Sequence, residues 1–249
     1  MKCIVFNNLK GGVGKTTSAI NTAACLSRAG YRTLLIDMDP QGNASKNLGM
    51  PESDFTITDI LLQNAKIKAF NVRENLVLIP SSTQFARFET EAKEKLRREE
   101  LLSKAIEPIK DKVDFIIIDT SPSVGLATVN AYCCADYLIV PMEAQQFALD
   151  GLNQVLDLYK AIREQLNSNL DLLGILFTRH RKNVILNKDL YNAMTEAFPG
   201  KTFETVIREN VALREAPHHT QTIVDYDLDS NGAKDYVKFT QEVLNRLGI

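Results

Sequence analysis

The chain has 249 residues, 45% of them hydrophobic and 24% charged, with a formal net charge of −2 and a pI near 6.0. That balance fits one α/β domain spanning 1–249 with an ample core, and it excludes nucleic-acid binding through overall charge, so any such contact needs a local patch. Cys3, Cys25, Cys133 and Cys134 lack CxxC spacing and read as small core residues of a reducing compartment, while the absence of a signal peptide and of a long apolar run predicts a cytosolic protein.

In chain order, Cys3-Ile4-Val5-Phe6 predicts a buried strand and Thr17 to Arg28 a helix closed by Gly30, with a glycine-rich loop between them. Thr33 to Asp37 is a strand, followed by the loop Met38-Asp39-Pro40-Gln41-Gly42-Asn43. Residues 51–75 are poorly periodic, with a short helix at Thr58 to Gln63, and Leu76 to Ile79 is a strand stopped by Pro80. Glu89 to Lys110 spaces acidic and basic residues at i,i+4 around Leu96, Leu101, Leu102 and Ile106, the pattern of a solvated amphipathic helix. Val113 to Asp119 is strongly strand-like. Then come a helix at Leu126 to Cys134, a strand at Tyr137 to Pro141, a helix at Phe147 to Gln165, a strand at Leu172 to Thr178, a helix at Leu186 to Ala197, a strand at Thr202 to Ile207 and a closing helix at Ala233 to Leu247. This alternation predicts a doubly wound, mostly parallel sheet with helices on both faces and loops gathered at strand carboxyl ends.

The loop Asn8-Leu9-Lys10-Gly11-Gly12-Val13-Gly14-Lys15-Thr16-Thr17 has the composition of a triphosphate cradle. Gly11, Gly12 and Gly14 let backbone amides turn inward, the following helix offers unpaired N–H groups and a positive dipole end, Lys15 can reach β and γ oxygens, and the Thr16 hydroxyl can ligate Mg²⁺. Leu9 stands where the pattern GxxxxGK[ST] expects its first glycine, so the loop is a variant. Lys10 is the compensating feature: on so tight a turn it points away from its own γ-phosphate and toward that of a second subunit.

Asp119 ends an apolar strand, the position where open α/β sheets place ligand-binding groups, and it fits a Mg²⁺-supporting role. Gly125 suits a switch that senses the γ-phosphate. Asp37 and Asp39 flank Met38 at another strand end, one placed for the Mg²⁺ waters and the other, Asp39, for orienting the attacking water; the plainer alternative, that Asp39 caps the turn Pro40-Gln41-Gly42-Asn43, stays open.

The runs KGGVGKTT at 10–17, LLIDMDPQGNAS at 34–45, FIIIDTSPS at 115–123 and ENVALREAP at 209–217 resemble the ParA/Soj partition ATPases, within the P-loop group with a deviant Walker A loop that also contains MinD. The resemblance covers nearly the whole chain. It implies a Mg²⁺-dependent sandwich homodimer formed on ATP binding, in which Lys10 crosses to the partner's phosphates, Lys15 and Thr16 act in cis, Val13 and Thr17 belong to the cradle, Asp39 positions water, and Asp37 and Asp119 serve the metal. It also implies slow intrinsic hydrolysis, stimulation by a ParB-type partner, non-specific DNA binding by the ATP dimer, and association with the nucleoid. Arg208 and Asn210 occupy the stretch that contacts adenine in the family; Asn210 matches, whereas Arg208 replaces the usual proline.

The DNA-facing segment departs from the family, with Glu209 and Ala212 where arginines are expected. Arg179, Arg181, Lys182, Lys188, Arg208 and Arg214 are expected to form a relocated DNA-facing patch, against the alternative of a solvated loop cluster. The chain begins at its first strand, from which no N-terminal helix-turn-helix is expected. A MinD-like membrane regulator would need a basic amphipathic tail, but Tyr236, Val237, Thr240, Val243, Leu244 and Leu247 read as an inward packing stripe, and no membrane contact is expected. An iron–sulfur donor would want a cysteine where Leu126 stands, and a small-molecule ligase or kinase would want a substrate pocket that His180, His218 and His219 do not suggest.

Overall fold

The computed structural model describes residues 1–50, 53–145, 148–181 and 183–249. Seven strands form one sheet: β1 (Lys2–Phe6), β2 (Thr33–Met38), β3 (Phe70–Arg73), β4 (Leu76–Ile79), β5 (Phe115–Thr120), β6 (Tyr137–Glu143) and β7 (Asp171–Thr178). Their spatial order is β3-β4-β2-β5-β1-β6-β7. All neighbours run parallel except β3, which pairs antiparallel with β4 at the edge. The helices are α1 (Lys15–Arg28), α2 (Asn43–Asn47), α3 (Ile57–Gln63), α4 (Phe88–Glu91), α5 (Leu101–Ile106), α6 (Leu126–Cys134), α7 (Ala148–Gln165), α8 (Ile185–Ala197), α9 (Ala212–Glu215), α10 (Ile223–Tyr226) and α11 (Asn231–Arg246).

Strand alternation sends side chains into two cores. Cys3 and Val5 of β1, with Ile116 and Ile118 of β5, pack under α3 and α5 to α7, whereas Ile4, Phe6, Phe115 and Ile117 pack under α1 and α11. The α11 stripe is as expected except at Val237, which is 46% exposed; Phe239, fully buried, fills the stripe instead. Cys3 and Cys25 are buried and Cys133 and Cys134 half-buried. No helix among the described residues is long and apolar enough to cross a membrane.

Two expected elements are corrected. The run from Glu89 to Lys110 is not one helix: it divides into α4, a 3₁₀ turn at Arg98–Glu100, α5 and a second 3₁₀ turn at Glu107–Lys112. The break is local, because Arg97 adopts φ 54 and the Lys95 ammonium donates to the Leu61 and Leu62 carbonyls at 2.9 and 2.7 Å, turning the chain to close the end of α3. Leu96 is accordingly 90% exposed rather than part of an apolar stripe.

Thr202 to Ile207 is likewise not a ladder strand; beside β7 it forms an isolated bridge, Ile175 to Thr202. The Phe203 and Ile207 amides donate to the Ile175 and Phe177 carbonyls of β7 at 3.0 and 2.8 Å, and side chains of α11 take up other backbone groups of the segment. The Glu242 carboxylate accepts from the Glu204 and Thr205 amides at 2.9 Å each, and the Arg246 guanidinium donates to the Gly200 and Thr202 carbonyls at 3.0 and 2.7 Å. The helix expected from Phe147 begins at Ala148 in the described chain, and Phe147 itself lies outside the described residues.

Candidate nucleotide site

The glycine-rich loop leaves the carboxyl end of β1 and enters α1 directly, Gly14 serving as its N-cap with φ 82. Gly12 is also left-handed, φ 77, and a Cβ at Gly11 or Gly12 would meet nothing within 4 Å, so the loop's outer wall is open space and its backbone can face a ligand. The loop is held from beneath by buried polar side chains. Asn8 donates to the Pro141 carbonyl at 2.8 Å and accepts from the Lys10 amide at 2.9 Å. Asn7 donates to the Thr120 hydroxyl at 2.7 Å, and the Thr178 hydroxyl donates to the Val13 carbonyl at 2.9 Å. These supports are not legible in sequence: asparagine just after a strand is visible there, but its partner on another strand end is not.

The two loop lysines have different partners. Lys15 is buried, and its ammonium donates to the Lys10 carbonyl at 3.0 Å. Burial lowers its pKa, and the nearby Asp119 and Asp39 carboxylates partly restore it. Lys10 instead extends along the surface to the Gln145 amide oxygen at 2.8 Å, and its Cβ would lie 3.9 Å from a Cβ at Gly151 of α7.

Three aspartates converge opposite α1. Asp37 and Asp119 are register partners on β2 and β5, and alternation turns both toward the α1 face. Asp119 is fully buried, and neither of its oxygens receives a hydrogen bond of good geometry. Burial, then the neighbouring Asp37 charge, raises its pKa well above the ordinary carboxylate value, with the Thr16 hydroxyl the strongest group acting in the other direction. A buried carboxylate without donors, with a hydroxyl beside it, fits a divalent cation, and Thr16 with Asp119 would hold it. When bound, such a cation neutralises charge developing on transferred phosphate.

Asp37 is differently engaged. Its Oδ2 accepts from the Ser45 amide at 2.9 Å and the Ser45 hydroxyl at 2.7 Å, and its Oδ1 from the Asp39 amide at 3.1 Å. The structure therefore places Asp37, expected among the metal ligands, as the anchor of the loop into α2. Burial raises its pKa to about 6 against those hydrogen bonds. Asp39 Oδ1 accepts from the Gln41 amide at 2.8 Å, so it does cap the turn, yet it also lines the cavity of about 360 Å³ that contains Gly12, Lys15 and Thr16.

Gly125 is the N-cap of α6, in extended backbone with φ −134. Its lack of a side chain admits the Glu89 carboxylate, which accepts from the Leu126 and Ala127 amides at 2.8 and 3.1 Å; a Cβ there would sit 2.5 Å from Glu89 Oε1. In sequence, Glu89 is only one charge on a solvated helix.

A second cavity, about 210 Å³, adjoins the first and shares Gly14, Thr17 and Arg179 with it, adding Arg208, Asn210 and Tyr236. The Asn210 side-chain oxygen is buried there without a hydrogen-bond partner. Arg208 is committed to Asp235: its amide and Nε donate to Oδ2 at 2.9 Å, and Nη2 to Oδ1 at 2.6 Å.

Of the six cations expected in one patch, the structure gathers four. Arg179, Arg181, Arg208 and Arg214 do line this second cavity, but Arg179 lies 3.4 Å from Glu143, and Arg181 and Arg214 lie 2.5 and 3.9 Å from Glu209. Lys188 borders a separate cavity with Tyr191 and Glu204, and Lys182 lies outside the described residues. Glu209, at a position where the resemblance implies a cation, draws Arg181 and Arg214 onto itself, and Arg181 above all lowers its pKa.

A family model described as "AAA domain" matches residues 1–172. The chromosome-partitioning ATPase Soj of Treponema pallidum is 40% identical, covering 99% of this chain and 98% of that protein. A putative plasmid partition protein of Borrelia burgdorferi B31, solved bound to AMPPNP, is 31% identical with TM-score 0.80, over 99% of this chain and 98% of that one. Cobyrinic acid a,c-diamide synthase of Mycobacterium smegmatis, solved with ADP and magnesium, is 26% identical with TM-score 0.88, over 100% of this chain and 96% of that one.

Proposed function

The chain belongs to the Soj/ParA family of partition ATPases, and from that membership we propose an ATP-driven dimerisation switch that hydrolyses ATP slowly, with Mg²⁺, and associates with DNA while ATP is bound. The observation that carries this reading is the division of labour between the loop lysines. Lys15 is buried inside its own cradle, whereas Lys10 lies outside it on the surface beside Gln145. A cation held outside its own phosphate site is available to a triphosphate presented by a second copy.

In this account the loop amides from Gly11 to Thr17 and the Lys15 ammonium bind phosphate, Thr16 and Asp119 hold Mg²⁺, and Asp39 orients the attacking water. The unpartnered Asn210 oxygen accepts from the exocyclic amine of adenine, while Arg208, occupied by Asp235, shapes that wall rather than contacting the base. Slow turnover follows from charge: with Lys10 supplied only on pairing, an isolated protomer lacks one of its cations, and a missing cationic group costs on the order of 10³ to 10⁵ in phosphoryl-transfer rate. A ParB-type partner that orders the pair would time hydrolysis. DNA contact is assigned to Arg181 and Arg214, whose side chains are 62% and 67% exposed.

The test is the steady-state ATPase rate with Mg²⁺, measured alone, with DNA, with a ParB-type protein, and with both. Joint stimulation supports the switch. A rate indifferent to DNA and partner but responsive to a small carboxylic-acid substrate contradicts it in favour of a ligase.

A further inference from the structure

A larger cavity, about 520 Å³, lies away from the phosphate loop, between α3 and α5. Its walls are apolar, with Ile60 and Ile67 on one bank and Leu101 and Ile109 on the other. Three exposed lysines stand on its rim: Lys66 just beyond α3, Lys104 on α5 and Lys112 at the end of the following 3₁₀ turn. None of the three makes an ion pair or hydrogen bond among the described residues. The neighbouring acids are already engaged, Glu107 with Lys110 at 2.5 Å and Asp59 with the Thr56 amide at 2.8 Å, and the carbonyl end of α3 is closed by Lys95. The rim charge therefore has no structural employment.

We propose that this groove docks an acidic amphipathic helical segment of a partner protein, its apolar side chains seated between α3 and α5 and its carboxylates against Lys66, Lys104 and Lys112. Unpaired cations on both banks of an apolar floor complement a helix carrying acids on both flanks of its apolar face. A small molecule is a poorer match, because pockets for such ligands carry convergent polar groups that fix orientation, and here the lysines are spread along the rim. The groove is also tied to α6 by hydrogen bonds. The Leu102 amide of α5 donates to Asn130 Oδ1 at 3.1 Å, and Asn130 Nδ2 donates to the Leu126 carbonyl at 2.9 Å in the first turn of α6, the helix that starts at Gly125. Docking is thus placed to act on the segment that follows Asp119.

The experiment measures fluorescence anisotropy of a labelled synthetic helix, leucines at i, i+3 and i+7 with flanking glutamates, titrated with the full chain. Binding should weaken about tenfold or more in Lys66→Glu/Lys104→Glu/Lys112→Glu. A similar loss is expected in Ala105→Trp, which fills the groove, and a lysine-flanked peptide should not bind. Since the three lysines are exposed and unpaired, the triple variant should keep wild-type circular dichroism and nucleotide affinity. Equal binding of acidic and basic peptides, affinity unchanged by both variants, no binding at all, or binding of dodecanoate but not the peptide would each overturn the proposal.

Discussion

The Lys15 ammonium donates to the Lys10 carbonyl at 3.0 Å, so the cradle lysine closes on the backbone of the very residue whose side chain leaves the site. Because Lys15 is buried and its pKa is lowered by that burial, its charge is compensated only in part until phosphate arrives. Lys15→Gln should therefore cost little stability while reducing nucleotide affinity on the order of 100-fold, the loss of charge-assisted contacts to two phosphate groups. Isothermal titration with ADP and ATP measures the second effect and thermal melting the first.

Asp119 should show the opposite bias, toward function over stability. A buried carboxylate whose oxygens lack donors is destabilising until a cation binds, so in metal-free buffer Asp119→Asn should raise stability, on the order of 2 kcal/mol, while abolishing the extra stabilisation that Mg²⁺ adds to ATP. The sign with pH follows from the raised folded pKa. Above the unfolded value of 3.8 the unfolded chain has released this proton while the folded chain retains it, so wild-type stability falls as pH rises through that window. Asp37 acts in the same direction between 3.8 and about 6. Denaturant melts should show the advantage of Asp119→Asn growing from about pH 4 upward; an advantage that shrinks would contradict this reading.

Gly125 and Glu89 form a steric and electrostatic pair. The Gly125 backbone at φ −134 would accept alanine without strain, so the cost of Gly125→Ala, about 1–3 kcal/mol, comes from contact with Glu89. Glu89→Ala should lose the cap on α6 but relieve that contact, leaving the double variant more stable than the sum of the single effects. A double-mutant cycle with no coupling would remove the pairing.

Glu209 should govern DNA association. It engages Arg181 and Arg214, so Glu209→Gln should strengthen DNA binding by the ATP-loaded protein, and Arg181→Ala should reduce the slope of log affinity against log salt by about 1. Binding isotherms at several salt concentrations decide it.

Much of this architecture was legible because its signals are local. Leu76–Ile79 and Leu126–Cys134 occur with the expected bounds, since each is an apolar or helical run stopped at once by Pro80 or by Ala135 in extended backbone. The phosphate loop was legible for the same reason: strand, glycines and helix follow one another in sequence. The short β3 was not, being a half-buried edge strand that carries Asn71 and Arg73. Charge spacing alone predicts one helix from 89 to 110, but Lys95 finds α3 carbonyls and Asn130 finds Leu102, both distant in sequence. The partners of the arginines were not legible for the same reason: counting cations along the chain does not reveal that Asp235 and Glu209 sit among them.

The most direct measurement of the central claim is the mass of wild type and Lys10→Ala in sedimentation velocity with Mg²⁺ and AMPPNP. Wild type should sediment as a dimer with the analogue and as a monomer with ADP, whereas Lys10→Ala should bind the analogue and remain monomeric. A wild type that stays monomeric, or a Lys10→Ala protein that pairs as tightly as wild type, would contradict the assignment of Lys10 to its neighbour's triphosphate.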